Sequence, residues 1–138
     1  MRFISLTPTA DDWARMTAGI DTVNRHSAPH LRQTVDDVRK AIDAKQAAWF
    51  VVVDNGKILS DMIVKTLIEE TRRTLYVWLM FGSRLDKWAK FAKLALVDLK
   101  TFNGCDRIKF HTSRPGWVRL VKDEGENWSH THVFYLND

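Results

Sequence analysis

The sequence predicts a mixed α/β (α+β) domain whose sheet is mostly antiparallel and flanked by helices, in the order β-α-α-β-β-β-α-β-α-β. Three observations carry that prediction. A β-branched and aromatic run, Trp49 to Val53, is closed by Asp54-Asn55-Gly56-Lys57, a tight-hairpin signal. A long amphipathic helix, Arg84 to Phe102, follows the third strand of the resulting meander directly. Two strand patterns, Arg107 to Thr112 and Trp128 to Leu136, then bracket a short helix that opens at Pro115 and runs to about Glu124. No repeat, low-complexity tract or linker interrupts the 138 residues, so a single domain over 1–138 is expected.

Each element has a local reason. Phe3 to Leu6 forms a short first strand. Thr9-Ala10-Asp11-Asp12 sets a hydroxyl and a carboxylate three apart, the arrangement that satisfies free amides at a helix start. Trp13, Met16, Ile20 and Val23 then give one apolar stripe, until His26-Ser27-Ala28-Pro29 breaks it. Thr34-Val35-Asp36-Asp37 repeats the capping pattern ahead of a second stripe, Val35, Val38, Ala41 and Ile42. After the hairpin, Ile58 to Ile68 is the returning strand, and Glu69 to Arg73 is a charged turn into the strand Thr74 to Phe81. The long helix sets Leu85, Trp88, Phe91, Ala92, Ala95, Leu96, Leu99 and Phe102 on one face, with Lys87, Lys90, Lys93 and Lys100 opposite, and Asn103-Gly104 supplies a left-handed cap.

Composition narrows the classes. With 45% apolar residues, six Trp and seven Phe, the chain has the makings of a packed core rather than of a disordered segment. Cys105 is the only cysteine, which excludes an internal disulfide, a paired-thiol redox site and a Cys-rich zinc cluster, and fits a reducing compartment. The N-terminus lacks the apolar core of a signal peptide, and no apolar run approaches the roughly 20 residues that span a bilayer. A cytoplasmic location is expected, with no membrane partner. A net charge of +4 favours anionic partners but is too small to imply nucleic acid by itself.

Other constellations have ordinary explanations. His130 and His132 face one side of a strand, yet no acidic or cysteine partner stands at a spacing that completes a metal site. The lysines of the long helix are accounted for as its solvated side, although they also permit a basic nucleic-acid-binding module. Trp117 and Trp128 fall outside the apolar stripes and are the indoles expected to meet a partner. There is no Gly-x-Ser-x-Gly elbow, Walker-type loop or dinucleotide fingerprint, so hydrolase, nucleotide triphosphatase and dehydrogenase readings have no support.

The element order, together with Arg84-Leu85-Asp86-Lys87-Trp88-Ala89 and Arg114-Pro115-Gly116-Trp117-Val118-Arg119-Leu120-Val121-Lys122-Asp123-Glu124-Gly125, resembles the Gcn5-related N-acetyltransferase (GNAT) family over nearly the whole chain. The resemblance implies acetyl-CoA as cofactor and acetyl transfer to an amine. It implies a cleft between the fourth and fifth strands, where the backbone of Leu79 to Phe81 pairs with the pantetheine arm. It places the backbone of Arg84, Leu85, Lys87 and Ala89 against the pyrophosphate at the helix start. His111, at the end of the fifth strand, becomes the expected general base. Three positions depart from the family pattern: Lys87 replaces the central glycine of the phosphate turn, Val121 stands where many members carry a proton-donating tyrosine, and the fourth strand lacks a carboxylate. The Gly104-Cys105 and Arg114-Pro115-Gly116-Trp117 segments are similar to bacteriophage members. That implies an alternative: a non-catalytic virion or host-interacting protein on the same fold.

Overall fold

The computed structural model describes residues 1–27, 29–112 and 132–136, with Thr112 and 132–136 described by their backbone alone. Its elements are β1 (Arg2–Ser5), α1 (Ala10–Arg25), a 3-10 turn (Pro29–Leu31), α2 (Val35–Asp43), β2 (Ala48–Asp54), β3 (Lys57–Glu69), β4 (Arg72–Gly82), α3 (Leu85–Phe102), β5 (Arg107–Thr112) and β6 (His132–Leu136). This reproduces the expected order over the described residues. The short helix at Pro115, the residues Trp117, Val121, Trp128 and His130, and the start of the last strand lie outside them.

The six strands form one sheet in chain order. β1 to β4 are antiparallel neighbours, as are β5 and β6, while β4 and β5 run parallel. A parallel pair needs a crossover, and α3 supplies it. The β2–β3 hairpin closes on Asn55 and Gly56 at φ 51° and 76°, the left-handed pair that a two-residue turn demands. The next turn is narrower than the five-residue charged turn expected, because Glu70 and Thr71 alone make it, and Arg72 and Arg73 already pair with β3.

Local caps fix the helices. Thr9 with Asp12, and Thr34 with Asp37, form reciprocal capping boxes at the starts of α1 and α2. At the end of α3, Gly104 at φ 66° lets its own N–H reach the Thr101 carbonyl at 3.0 Å and the Cys105 N–H reach Lys100 at 2.9 Å, a Schellman closure.

The sheet buries a cluster on each face. Val52, Met62, Val77, Trp88, Ala92, Leu96 and Ile108 pack on the α3 side, and Met16, Ile20, Val38, Trp49, Ile63, Leu79 and Phe81 on the α1 and α2 side. Two residues of the α3 pattern depart from expectation. Lys100, expected among the solvated lysines, is only 5% exposed, and Phe102, expected on the buried face, is 88% exposed. The reason is rotational: Lys100 continues the four-residue row of Trp88, Ala92 and Leu96, and Phe102, two residues further, is turned about 200° from it.

Candidate functional site

The site arises from one register irregularity. Ile63 pairs with Leu79 and Val64 with Val77, so Trp78 is an extra residue in β4. Such a bulge bends its strand and lets two successive side chains share a face. Val77 accordingly belongs to the α3-side cluster, whereas Trp78 and Leu79 both join the opposite one. The β4–β5 ladder ends beside the bulge: its last pair is Val77 with Phe110, although β4 runs on to Gly82 and β5 to Thr112. Beyond that pair the β5-facing main-chain groups of β4 lie outside the ladder.

The exit of β4 is held from the opposite side. A second bulge leaves Leu59 as the extra residue of β3, and its carbonyl accepts the Ser83 N–H at 3.2 Å. A Cβ on Gly82 would overlap that carbonyl, so only glycine lets β4 pass so close. Ser83 in turn accepts the Trp88 indole N–H at 2.7 Å. Arg84 then takes a left-handed conformation, φ 58° and ψ 51°, and α3 begins with no side chain capping its first turn. The Lys87 N–H bends back to the Arg84 carbonyl at 2.9 Å. Among the described residues, the N–H groups of Leu85 and Asp86 have no acceptor.

The cofactor residues expected from sequence divide into two sets. Leu79 and Phe81 bury their side chains toward α1, which leaves their backbone as what they offer the gap. Arg84 and Leu85 flank the open amides. Lys87 keeps its own amide engaged, and its ammonium lies 3.5 Å from Asp54 of the β2–β3 hairpin. Asp86 is exposed and pairs with Arg84 at 3.6 Å. Ala89 is the fifth residue of α3, past the four whose amides lack an intrahelical acceptor, and it is buried in the α3-side cluster.

His111 stands one residue past the last β4–β5 pair, edge-on to Tyr76 with ring centroids 5.5 Å apart. Among the described residues, its buried Nδ1 has no hydrogen-bond partner. Burial first, then the charges of Lys109 and His30, push its pKa down from 6.5 to about 4, against an opposing effect of Glu69. The imidazole is therefore neutral at pH 7 and a weak base. Lys109 is held 2.7 Å from Glu69, whose other carboxylate oxygen faces Arg107 at 3.6 Å, an ion-pair distance too long for a hydrogen bond. Because the unfolded chain takes up a proton on His111 between pH 6.5 and about 4 and the folded chain does not, stability should fall as pH drops through that window. Urea denaturation at pH 7 and pH 5 checks this, and His111→Gln should flatten part of the slope.

Sequence reasoning did not single out Tyr76, Trp78, Lys65 and Lys109 as a group. Lys65 pairs with Tyr76 across β3 and β4, and its ammonium sits 4.0 Å from the centre of the Trp78 ring and 5.8 Å from that of Tyr76. Alternation along each strand places these residues on one face, Tyr76 and Trp78 being two apart, and what the sequence hides is the register that sets Lys65 beside Tyr76 and β5 beside β4. Among the described residues no group of three or more His, Cys, Asp and Glu is placed to hold a metal, and no helix is long and apolar enough to cross a membrane.

No family model matches the sequence, nor does any curated protein sequence. Solved structures do match. A chain of the NatC complex bound to Gag peptide and CoA superposes with a TM-score of 0.68 at 15% identity, over 100% of this chain and 99% of that one. An N-acetyltransferase from Staphylococcus aureus Mu50 gives 0.68 at 11% identity, over 99% of both chains. The fold is that of the GNAT acetyltransferases. A predicted acetyltransferase with acetyl-CoA from Clostridium acetobutylicum also shares the GNAT fold, with a TM-score of 0.65 at 11% identity over 94% of this chain and 92% of that one. At such identities the likeness lies in the path of the backbone, and the mixed sheet read from the sequence is the GNAT sheet.

Proposed function

We propose that this chain is an acyl-CoA N-acyltransferase that takes acetyl-CoA into the β4–β5 gap and passes the acetyl group to an amine. The observation that carries the reading is the coincidence, at one end of β4, of an interrupted ladder, a bulge and a helix start with open amides. Solved structures with this fold contain CoA or acetyl-CoA, which supports a cofactor of that kind here. The residues present fit that group. Leu79 to Phe81 offer main-chain partners to the pantetheine amides as an added strand would. The N–H groups of Leu85 and Asp86, with the positive end of the helix dipole behind them, would hold the pyrophosphate, and Arg84 would add its charge. Lys87, in place of the glycine expected in this turn, has its ammonium committed to Asp54.

Bound acetyl-CoA supplies an activated thioester carbonyl. The amine forms the new C–N bond, the C–S bond breaks, and the thiol of CoA leaves with a proton. In this reading His111 accepts a hydrogen bond from the incoming amine through its neutral ring, which would orient the nucleophile and give its proton a first acceptor. Its low basicity and the lack of a carboxylate in β4 favour a second reading, a binding protein on the same frame without turnover. Calorimetric titration with acetyl-CoA, followed by a thiol-release assay over a panel of amines, separates them. Saturable binding with thiol release supports the transferase, binding without release supports the second reading, and no binding removes the cofactor from both.

A further inference from the structure

On the sheet face away from α3, the paired parts of β3, β4 and β5 carry a half-buried aromatic floor edged by cations. Tyr76 is its centre: Lys65 approaches it at 5.8 Å, Lys109 at 5.5 Å and His111 edge-on at 5.5 Å, with Trp78 beside it on the bulge. The cations are not equivalent. Lys109 is bound to Glu69 at 2.7 Å, and Arg107 faces the same carboxylate. Lys65 meets the Trp78 and Tyr76 rings and, among the described residues, no carboxylate. Burial depresses its pKa with no acidic neighbour opposing the effect. A half-buried ammonium resting only on ring faces retains most of its attraction for an anion, because a ring quadrupole offsets less charge than a carboxylate does.

We infer that this floor is the acceptor end of the cleft and that it selects amines bearing an anionic group, a carboxylate or a phosphate, with Lys65 as the counterion. The word acceptor rests on the transferase reading; the anion site itself does not. Trp78 joins the two regions: it is the residue next after the last β4–β5 pair, and its ring lies 4.0 Å from the Lys65 ammonium. An anion at Lys65 therefore sets the rest of the molecule beside the point where the thioester would lie. His111, neutral and edge-on to Tyr76, adds no positive charge to repel the amine. A polyamine meets Lys65 and Lys109 with like charge and is disfavoured.

The test is a magnetic resonance titration of the full chain, without cofactor, following the Trp78 indole and Tyr76 ring signals with L-glutamate, phosphoethanolamine and spermidine. Glutamate or phosphoethanolamine should shift these signals saturably and spermidine should not, and the stronger of the two anions tells carboxylate from phosphate. Lys65→Gln should weaken the anion by about tenfold or more, and Lys65→Arg should restore most of it. The Gln variant's melting curve and a parallel acetyl-CoA titration should match those of the unaltered chain. Spermidine binding as tightly as the anions, or equal anion affinity with Gln at position 65, overturns the inference. If the anions bind through Lys65 and acetyl-CoA does not bind at all, the anion site stands and the transferase reading falls.

Discussion

Replacing Asp61 with alanine is expected to remove about 3 kcal/mol of stability, read as a lower urea midpoint at unchanged slope. Asp61 is 2% exposed in β3, between Ser60 and the apolar run Met62 to Val64. Its carboxylate accepts the Arg15 guanidinium through two bonds of 2.8 Å and the Trp49 indole N–H at 2.9 Å. Arg15 also reaches Asp12 at 2.9 Å. Burial pushes Asp12 up, but the hydrogen bonds from Thr9 and Arg15 outweigh it and hold this carboxylate below its usual range. Alanine at 61 leaves a buried indole N–H without an acceptor, a loss of about 1–3 kcal/mol in itself, and strips Arg15 of its bidentate partner. The Arg15 side chain is 32% exposed and keeps Asp12, so water recovers part of the loss and the total falls at the lower end of the range for broken buried pairs. Removing both charges, as Arg15→Met with Asp61→Leu, should be less damaging than Asp61→Ala. A loss under about 0.5 kcal/mol for Asp61→Ala, the level of a neutral surface change, would mean that the pair does not hold α1 to the sheet.

Features that depend on a few neighbouring residues were legible before any coordinates. Both capping boxes, the Asn55-Gly56 turn, the Gly104 cap and the bounds of β5 follow from residues within one turn of each other. So does the placement of α3 after the third meander strand, from which the fold could be read. The bulge at Trp78 was not legible, because register is a property of two strands together and nothing within Thr74 to Phe81 marks the extra residue. The grouping of Lys65, Tyr76, Trp78 and Lys109, four residues from three strands, is hidden for the same reason, because it follows from the pairing of Tyr76 with Lys65 on one side and Lys109 on the other. Asp61 did leave a signal: a lone carboxylate between Leu59-Ser60 and Met62-Ile63-Val64 is costly to bury unless a cation meets it. The partner, Arg15, is 46 residues away, beyond the reach of periodicity. Lys100 and Phe102 depart from their residue types because, near the end of a long helix, the rotation of the final turn decides which side chain meets the sheet.

Trp88→Ala should be the most damaging single change in α3, with a loss of about 3–5 kcal/mol. Trp88 is 2% exposed and is among the largest fully buried side chains, in the cluster with Val52, Met62 and Ala92. Truncation opens a cavity between α3 and the sheet that small neighbours such as Ala89 and Ala92 are too short to fill. It also removes the 2.7 Å bond from the indole to the Ser83 carbonyl, immediately before the left-handed Arg84. Trp88→Phe separates the two effects, since the ring keeps most of the packing and lacks the donor; a loss of about 1–2 kcal/mol is expected for it. If the indole bond fixes the turn that presents the Leu85 and Asp86 amides, Trp88→Phe should weaken acetyl-CoA at a temperature where the variant is fully folded. Lys65→Gln, on the other side of the bulge, should leave that affinity alone. A Trp88→Phe variant that is less stable yet binds acetyl-CoA as before would confine Trp88 to the core and leave the geometry of the α3 start to Gly82 and the Leu59 carbonyl.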